Sequence, residues 1–247
     1  MSSNRIAIVV NSCLSFYKKT IPVLLKSAIN ANINFEDIYI VVGDCDEETG
    51  FNKETYDSKE YNISFCRYVC IDYNAAIYIT QTESGLSAIK KYTHFFYIHD
   101  TVEFLPNFLE SISKYINSCH SYISLEPFGS KNIGLFSINW FINNKSEFLK
   151  LYINYDKSKK MQIKSGIVDN EEEIRKKCKH LPGCLNEDSL FESNPTSEYY
   201  FPLDNNSNYC VDNKYDGLTR MANIYPNVGI IKYQANWGQR PHFVLDL

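Results

Sequence analysis

The chain has 247 residues, 44% of them hydrophobic, which suits one large α/β domain with a substantial buried core. A formal net charge of −4 and a pI near 5.8 argue against nucleic acid or anionic lipid as partners held by bulk charge, because such surfaces need clustered excess Lys and Arg. The eight cysteines lack zinc-type CxxC spacing and read as reduced thiols, and the apolar stretch before Asn11 is too short for a signal peptide or a membrane span, so a cytoplasmic protein is expected.

In chain order, Arg5 to Val10 is an aliphatic run of the kind buried on both faces of a parallel sheet. From Lys18 to Ala31 the residues Ile21, Leu24, Leu25 and Ala28 recur at helical spacing, with Thr20 and Pro22 as a start signal. Asp37 to Val42 predicts a second strand, which stops in the acidic loop Gly43-Asp44-Cys45-Asp46-Glu47-Glu48. Cys66 to Ile71 predicts a third strand, followed by a helix with Gly85 near its start and then the strand His94 to Ile98. Strand alternating with helix predicts a mostly parallel, Rossmann-like sheet flanked by helices, whose ligands bind beyond the carboxyl ends of the strands.

The second half is less regular. Leu105 to Ile116 predicts an amphipathic helix, Gly134 to Ile142 a strand, Ser146 to Tyr152 a short helix and Asp169 to His180 a charged helix. The stretch from Leu181 to Tyr209 is rich in Pro, Asn and Ser and reads as loop, as does the tail Tyr233 to His242. No repeat or linker divides the chain, so residues 1–247 are expected to form a single domain.

The segment richest in chemistry is His94 to Thr101, an aromatic and aliphatic strand that delivers His99 and Asp100 at its carboxyl end. A carboxylate there suits a hard divalent cation and, through it, a diphosphate; the simpler alternative is that Asp100 caps the helix that follows.

With these residues in place, roughly the first 110 positions resemble the family 2 glycosyltransferases and, more broadly, the GT-A fold of nucleotide-sugar transferases. The resemblance rests on Ile6 to Val10 followed by Asn11-Ser12, on the strand Ile40-Val41-Val42 ending in Gly43-Asp44, on Asn74, on Gly85-Leu86, and on Tyr97-Ile98-His99-Asp100. The distance from Gly85 to Asp100 matches the family's spacing from its glycine to the last Asp of its Asp-x-Asp motif. Ile98 stands at the first Asp position, which reduces the motif to Asp100 alone.

The resemblance implies a GT-A type fold with a nucleotide-sugar-binding half at 1–110 and an acceptor-side half at 111–247. It implies a nucleotide-sugar donor, a glycan or glycoconjugate acceptor, and Mn2+ or Mg2+ held by Asp100 with His242. Asn11, Ser12, Asp44, Asn74, Gly85, His99 and Asp100 line the donor site, with Asp44 on the nucleobase. Asp188 or its neighbour Glu187 is the candidate general base, and Trp140 the candidate acceptor-stacking residue, with a core position as its alternative. The missing first Asp keeps a non-catalytic nucleotide- or glycan-binding protein open as a second reading. A nucleotidyltransferase is disfavoured because Asn11 to Lys19 contains no Gly for a triphosphate loop.

Overall fold

The computed structural model describes residues 5–68, 73–125, 133–149 and 219–235. Its first half alternates β1 (Ile6–Cys13), α1 (Tyr17–Asn30), β2 (Ile38–Gly43), β3 (Asn52–Tyr56), β4 (Lys59–Phe65), α2 (Asn74–Gln81), α3 (Glu83–Ile89) and β5 (His94–His99). There follow β6 (Val102–Phe104), α4 (Phe108–Ile116), β7 (Tyr122–Ser124), β8 (Gly134–Ser137), α5 (Ile138–Asn143), α6 (Lys145–Leu149), β9 (Thr219–Tyr225) and β10 (Ile230–Ala235).

Seven strands form one sheet in the order β3-β4-β2-β1-β5-β8-β7. The central four, β4, β2, β1 and β5, are parallel, while β3 and β8 run antiparallel to β4 and β5. The expected α/β class and largely parallel centre are therefore present, in a mixed rather than a uniformly parallel sheet. From β1 the chain steps outward to β2 and β4, then crosses back to lay β5 on the other side of β1. The strand order thus reverses between β1 and β5, which makes their carboxyl ends the switch point of the sheet.

The aliphatic runs are explained by burial on both faces. Along β1, Ile8 and Val10 join one core with Ile40, Val42, Phe96, Ile98, Leu24, Phe108 and Ile112. Ala7 and Val9 join the opposite core with Val41, Phe95, Tyr97, Ala75, Ile79 and Phe141. Side chains alternate between faces every residue, so α1 and α4 cover one side while α2, α3 and α5 cover the other. Beside α4 sits a second sheet, β6-β10-β9.

Several boundaries differ from expectation. The third parallel strand is β4, before Cys66, and it is reached through a β3–β4 hairpin whose two-residue turn places Asp57 and Ser58 at φ 50 and φ 61. Two consecutive positive φ values mark a type I′ turn, here built without glycine. Inside β4 the polar Asn62 is buried because its side-chain amide donates to the carbonyls of Ile38 at 2.9 Å and Glu36 at 3.0 Å. The strand expected from Gly134 to Ile142 ends at Ser137 and turns into α5. Tyr233 to Ala235, expected as loop, belong to β10. The expected helix from Asp169 to His180, the expected loop from Leu181 to Tyr209 and the rest of the tail lie outside the described residues.

The β9–β10 turn docks on α4 through Gly229, which has φ +80; a Cβ there would meet Phe108 Cα at 2.5 Å and its backbone N at 2.7 Å. The Gly229 carbonyl also accepts from the Leu105 N–H at 2.8 Å. Gly229→Ala combines a disfavoured backbone conformation with backbone overlap, and chemical denaturation is expected to show a loss of about 2–4 kcal/mol. A variant as stable as the wild type would mean that this turn does not pack on α4.

Candidate functional site

The switch point gathers polar residues from three strand ends. In register, Asn11 lies beside Val41 and His99, Ser12 beside Val42, and Cys13 beside Gly43. Asp44 and Asp100 follow β2 and β5 directly. Asn11, Ser12, Asp44, His99 and Asp100 are therefore brought to one edge of the sheet, as expected from the sequence.

Alternation then sends these side chains to opposite faces. Asn11 follows Ala7 and Val9 toward α2, where its Oδ1 accepts from the Ala75 N–H at 2.9 Å and from the Tyr97 hydroxyl at 3.1 Å. Ser12 follows Ile8 and Val10 toward α1. There the Ser12 and Thr20 hydroxyls both donate to Asp100 Oδ2, at 2.5 Å and 2.7 Å, and the Asp100 N–H donates to the Asn11 carbonyl at 3.1 Å. Asp100 is 1% exposed. It does not cap the following helix, which begins at Phe108 after Asn107. Its carboxylate instead ties β1, α1 and β5 together below the surface.

Asp44 occupies a left-handed conformation, φ 64, which Asp tolerates better than most residues. Its N–H donates to the Tyr68 carbonyl at 3.0 Å, and its residue is partly exposed at the sheet edge. Asn74, buried at the start of α2, packs so closely on Gly43 that a Cβ on Gly43 would collide with the Asn74 amide. Asn74 thereby holds α2 against the end of β2.

Gly85 is not among this group. It sits in α3 at the far end of α2, where a Cβ would meet Ile79 Cα at 2.5 Å and the Tyr78 carbonyl at 2.8 Å. Its N–H donates to Thr82 Oγ1 at 2.9 Å, so this glycine serves a tight corner between helices. Trp140 lies in α5 rather than on a strand and is 7% exposed, with its ring 6.2 Å from Phe136 and 6.5 Å from Phe148. That is the core position named as its alternative. Glu187, Asp188 and His242 lie outside the described residues.

A divalent cation needs several hard ligands in one place. Among the described residues no group of three or more His, Cys, Asp and Glu side chains is gathered in that way. Asp100 is the carboxylate at the switch point itself, and one of its oxygens already serves two hydroxyls. The described residues do not by themselves fit a metal centre. Among them, too, no helix is long and apolar enough to cross a membrane.

Two residues at this site escaped the sequence reading. Thr20 reads as a helix start in the sequence, yet its spacing to Leu24 and Ala28 puts a polar residue on the buried stripe of α1, a signal of an internal partner. Tyr97 looks like one more apolar strand residue in the sequence, which carries no signal for its hydroxyl contact. Cys13, at the end of β1, is half-buried: burial, and then the nearby Asp100 charge, push its thiol up to about 12, which disfavours the thiolate. Comparison with family models, curated proteins and solved structures finds no match for this chain.

Burial is the largest influence on the Asp100 carboxyl and raises it to about 6, against the opposing pull of the Ser12 and Thr20 hydroxyls. A folded value above the ordinary 3.8 means that the folded chain binds this proton more tightly than the unfolded chain. The resulting stabilisation is fully present below about pH 4 and is lost as pH rises through about 6. Asp100→Asn keeps an oxygen for the two hydroxyls and removes the titration. Urea unfolding between about pH 4 and pH 7.5 is expected to show the wild type losing about 2–3 kcal/mol relative to the variant. Parallel pH profiles would contradict a raised value.

Proposed function

We propose that this chain transfers a sugar from a nucleoside diphosphate sugar to a hydroxyl of a glycan or glycoconjugate, in a GT-A type fold. The observation that carries the reading is the meeting of Asn11, Ser12, Asp44, His99 and Asp100 at the β1/β5 switch point, where α/β sheets of this kind hold their ligands. The family resemblance of the first 110 residues supplies the chemistry; the fold alone does not.

In this reading Asp44, beside the end of β1, accepts from the nucleobase or ribose. The diphosphate lies across the ends of β1 and β5, near His99 and the backbone of Ser12. Asp100 acts beneath it, fixing Ser12 and the start of α1 through its two hydroxyl bonds. Asp188, with Glu187 as alternative, takes the proton from the acceptor hydroxyl. Mn2+ or Mg2+, when bound, neutralises charge on the departing diphosphate. Because the described residues make no complete shell, that part of the proposal leans on His242 and on the diphosphate oxygens.

A second reading, a non-catalytic nucleotide- or glycan-binding protein on the same scaffold, is favoured by one specific pair of facts. Ile98 is fully buried where the family has its first metal carboxylate, and Asp100 is sequestered by hydroxyls. Incubation with a panel of nucleoside diphosphate sugars separates the two. Donor hydrolysis or transfer supports the transferase, and binding without turnover on any donor supports the binder.

For the transferase, Asp44→Ala is expected to raise the KM for donor about tenfold while kcat changes by less than about threefold, since donor binding is lost rather than chemistry. An unchanged KM would remove Asp44 from the donor site. EDTA is expected to abolish most turnover and manganese to restore it; full turnover in EDTA would eliminate the metal.

A further inference from the structure

At the opposite edge of the sheet a cavity of about 600 Å³ opens at the amino end of β5, between the last turn of α4 and the first of α5. That volume lies within the roughly 300–1,000 Å³ of small-molecule sites. His94 begins β5 and His99 ends it, so roughly 17 Å of strand separates this cavity from the switch point.

His94 forms the floor. Its Nε2 lies 2.8 Å from the Cys119 carbonyl and its Nδ1 3.0 Å from Thr93 Oγ1. A nitrogen facing a carbonyl has to donate, so Nε2 carries the proton and Nδ1 accepts from the Thr93 hydroxyl. Burial pushes this imidazole below the usual histidine range, which keeps the floor neutral.

The walls are also uncharged and rich in groups that both donate and accept. Asn117 closes α4, Ser137 precedes α5, and Asn139 follows within it, while the exposed His120 stands on the rim. Ser137 is 9% exposed and makes no side-chain cap bond to α5, which leaves its hydroxyl to the cavity it lines. Among the described residues no Asp, Glu, Lys or Arg lines the cavity, and Ile116 adds a small apolar surface.

We propose that this cavity binds a neutral carbohydrate, a short saccharide segment held by Ser137, Asn139, Asn117 and His120. Sugar hydroxyls donate and accept at once, as side-chain amides and hydroxyls do, and a sugar's C–H face suits the Ile116 patch. A charged ligand loses its hydration here without gaining a counter-charge, and an apolar one strands the buried Ser137 hydroxyl. The site is independent of nucleotide-sugar turnover, since it occupies the other end of the strands.

The test is an NMR titration of the full chain with maltotriose, tri-N-acetylchitotriose and, as a charged counterpart, trigalacturonate. At least one neutral trisaccharide is expected to shift the resonances of His94, His120 and Asn139. The exposed double change Asn117→Ala/Asn139→Ala is expected to weaken that binding by about tenfold or more. His120→Ala gives a second, milder variant should the double change perturb folding. No shift with either neutral sugar, shifts untouched by these variants, or tighter binding of trigalacturonate would each overturn the proposal. No nucleotide is present in these titrations, so their outcome stands apart from that of the transferase reading.

Discussion

A carboxylate removed from water must be solvated by the protein or be neutralised, and Asp100 at 1% exposure meets that demand with the Ser12 and Thr20 hydroxyls. Ser12 comes from the end of β1 and Thr20 from the first turns of α1. Three elements far apart in sequence therefore converge on one oxygen, and their arrangement fixes the edge of the sheet at which any ligand would meet β1 and β5. The loop between β1 and α1, with Leu14 left exposed beside that edge, is anchored at both ends by this contact.

The same edge shows a division of labour by face. Asn11 faces α2 and binds the start of that helix, whereas Ser12 and Asp100 face α1. Asn74 presses on Gly43 from the α2 side. Much of the polarity at the strand ends is thus spent on holding helices to the sheet.

What could be read from the sequence follows from how each element is buried. β1, β2, β5 and α1 were legible because strands covered on both faces show aliphatic runs and a one-sided helix shows periodic ones. The β3–β4 hairpin was not, since its turn uses Asp57-Ser58 in place of a glycine pair and Asn62 and Ser64 disguise buried strand as loop. Helix α2 was missed because it is buried nearly all round and carries no polar face to set a period. The position of Asp100 at a strand end was legible from Phe95 to Ile98. Its sequestration was not, because that depends on contacts to residues 80 and 88 positions away. Gly85 and Trp140 carried motif-like signals whose causes, a helix corner and an aromatic core, exist only in three dimensions.

The proposed transfer requires a nucleotide to bind beyond the carboxyl ends of β1, β2 and β5. Crystals of the full chain soaked with uridine, guanosine and thymidine diphosphates plus manganese test it most directly. One nucleotide is expected to show density with its base or ribose at Asp44 and its phosphates between Ser12 and His99. Density confined to another surface, or none for any of the three, would contradict the account.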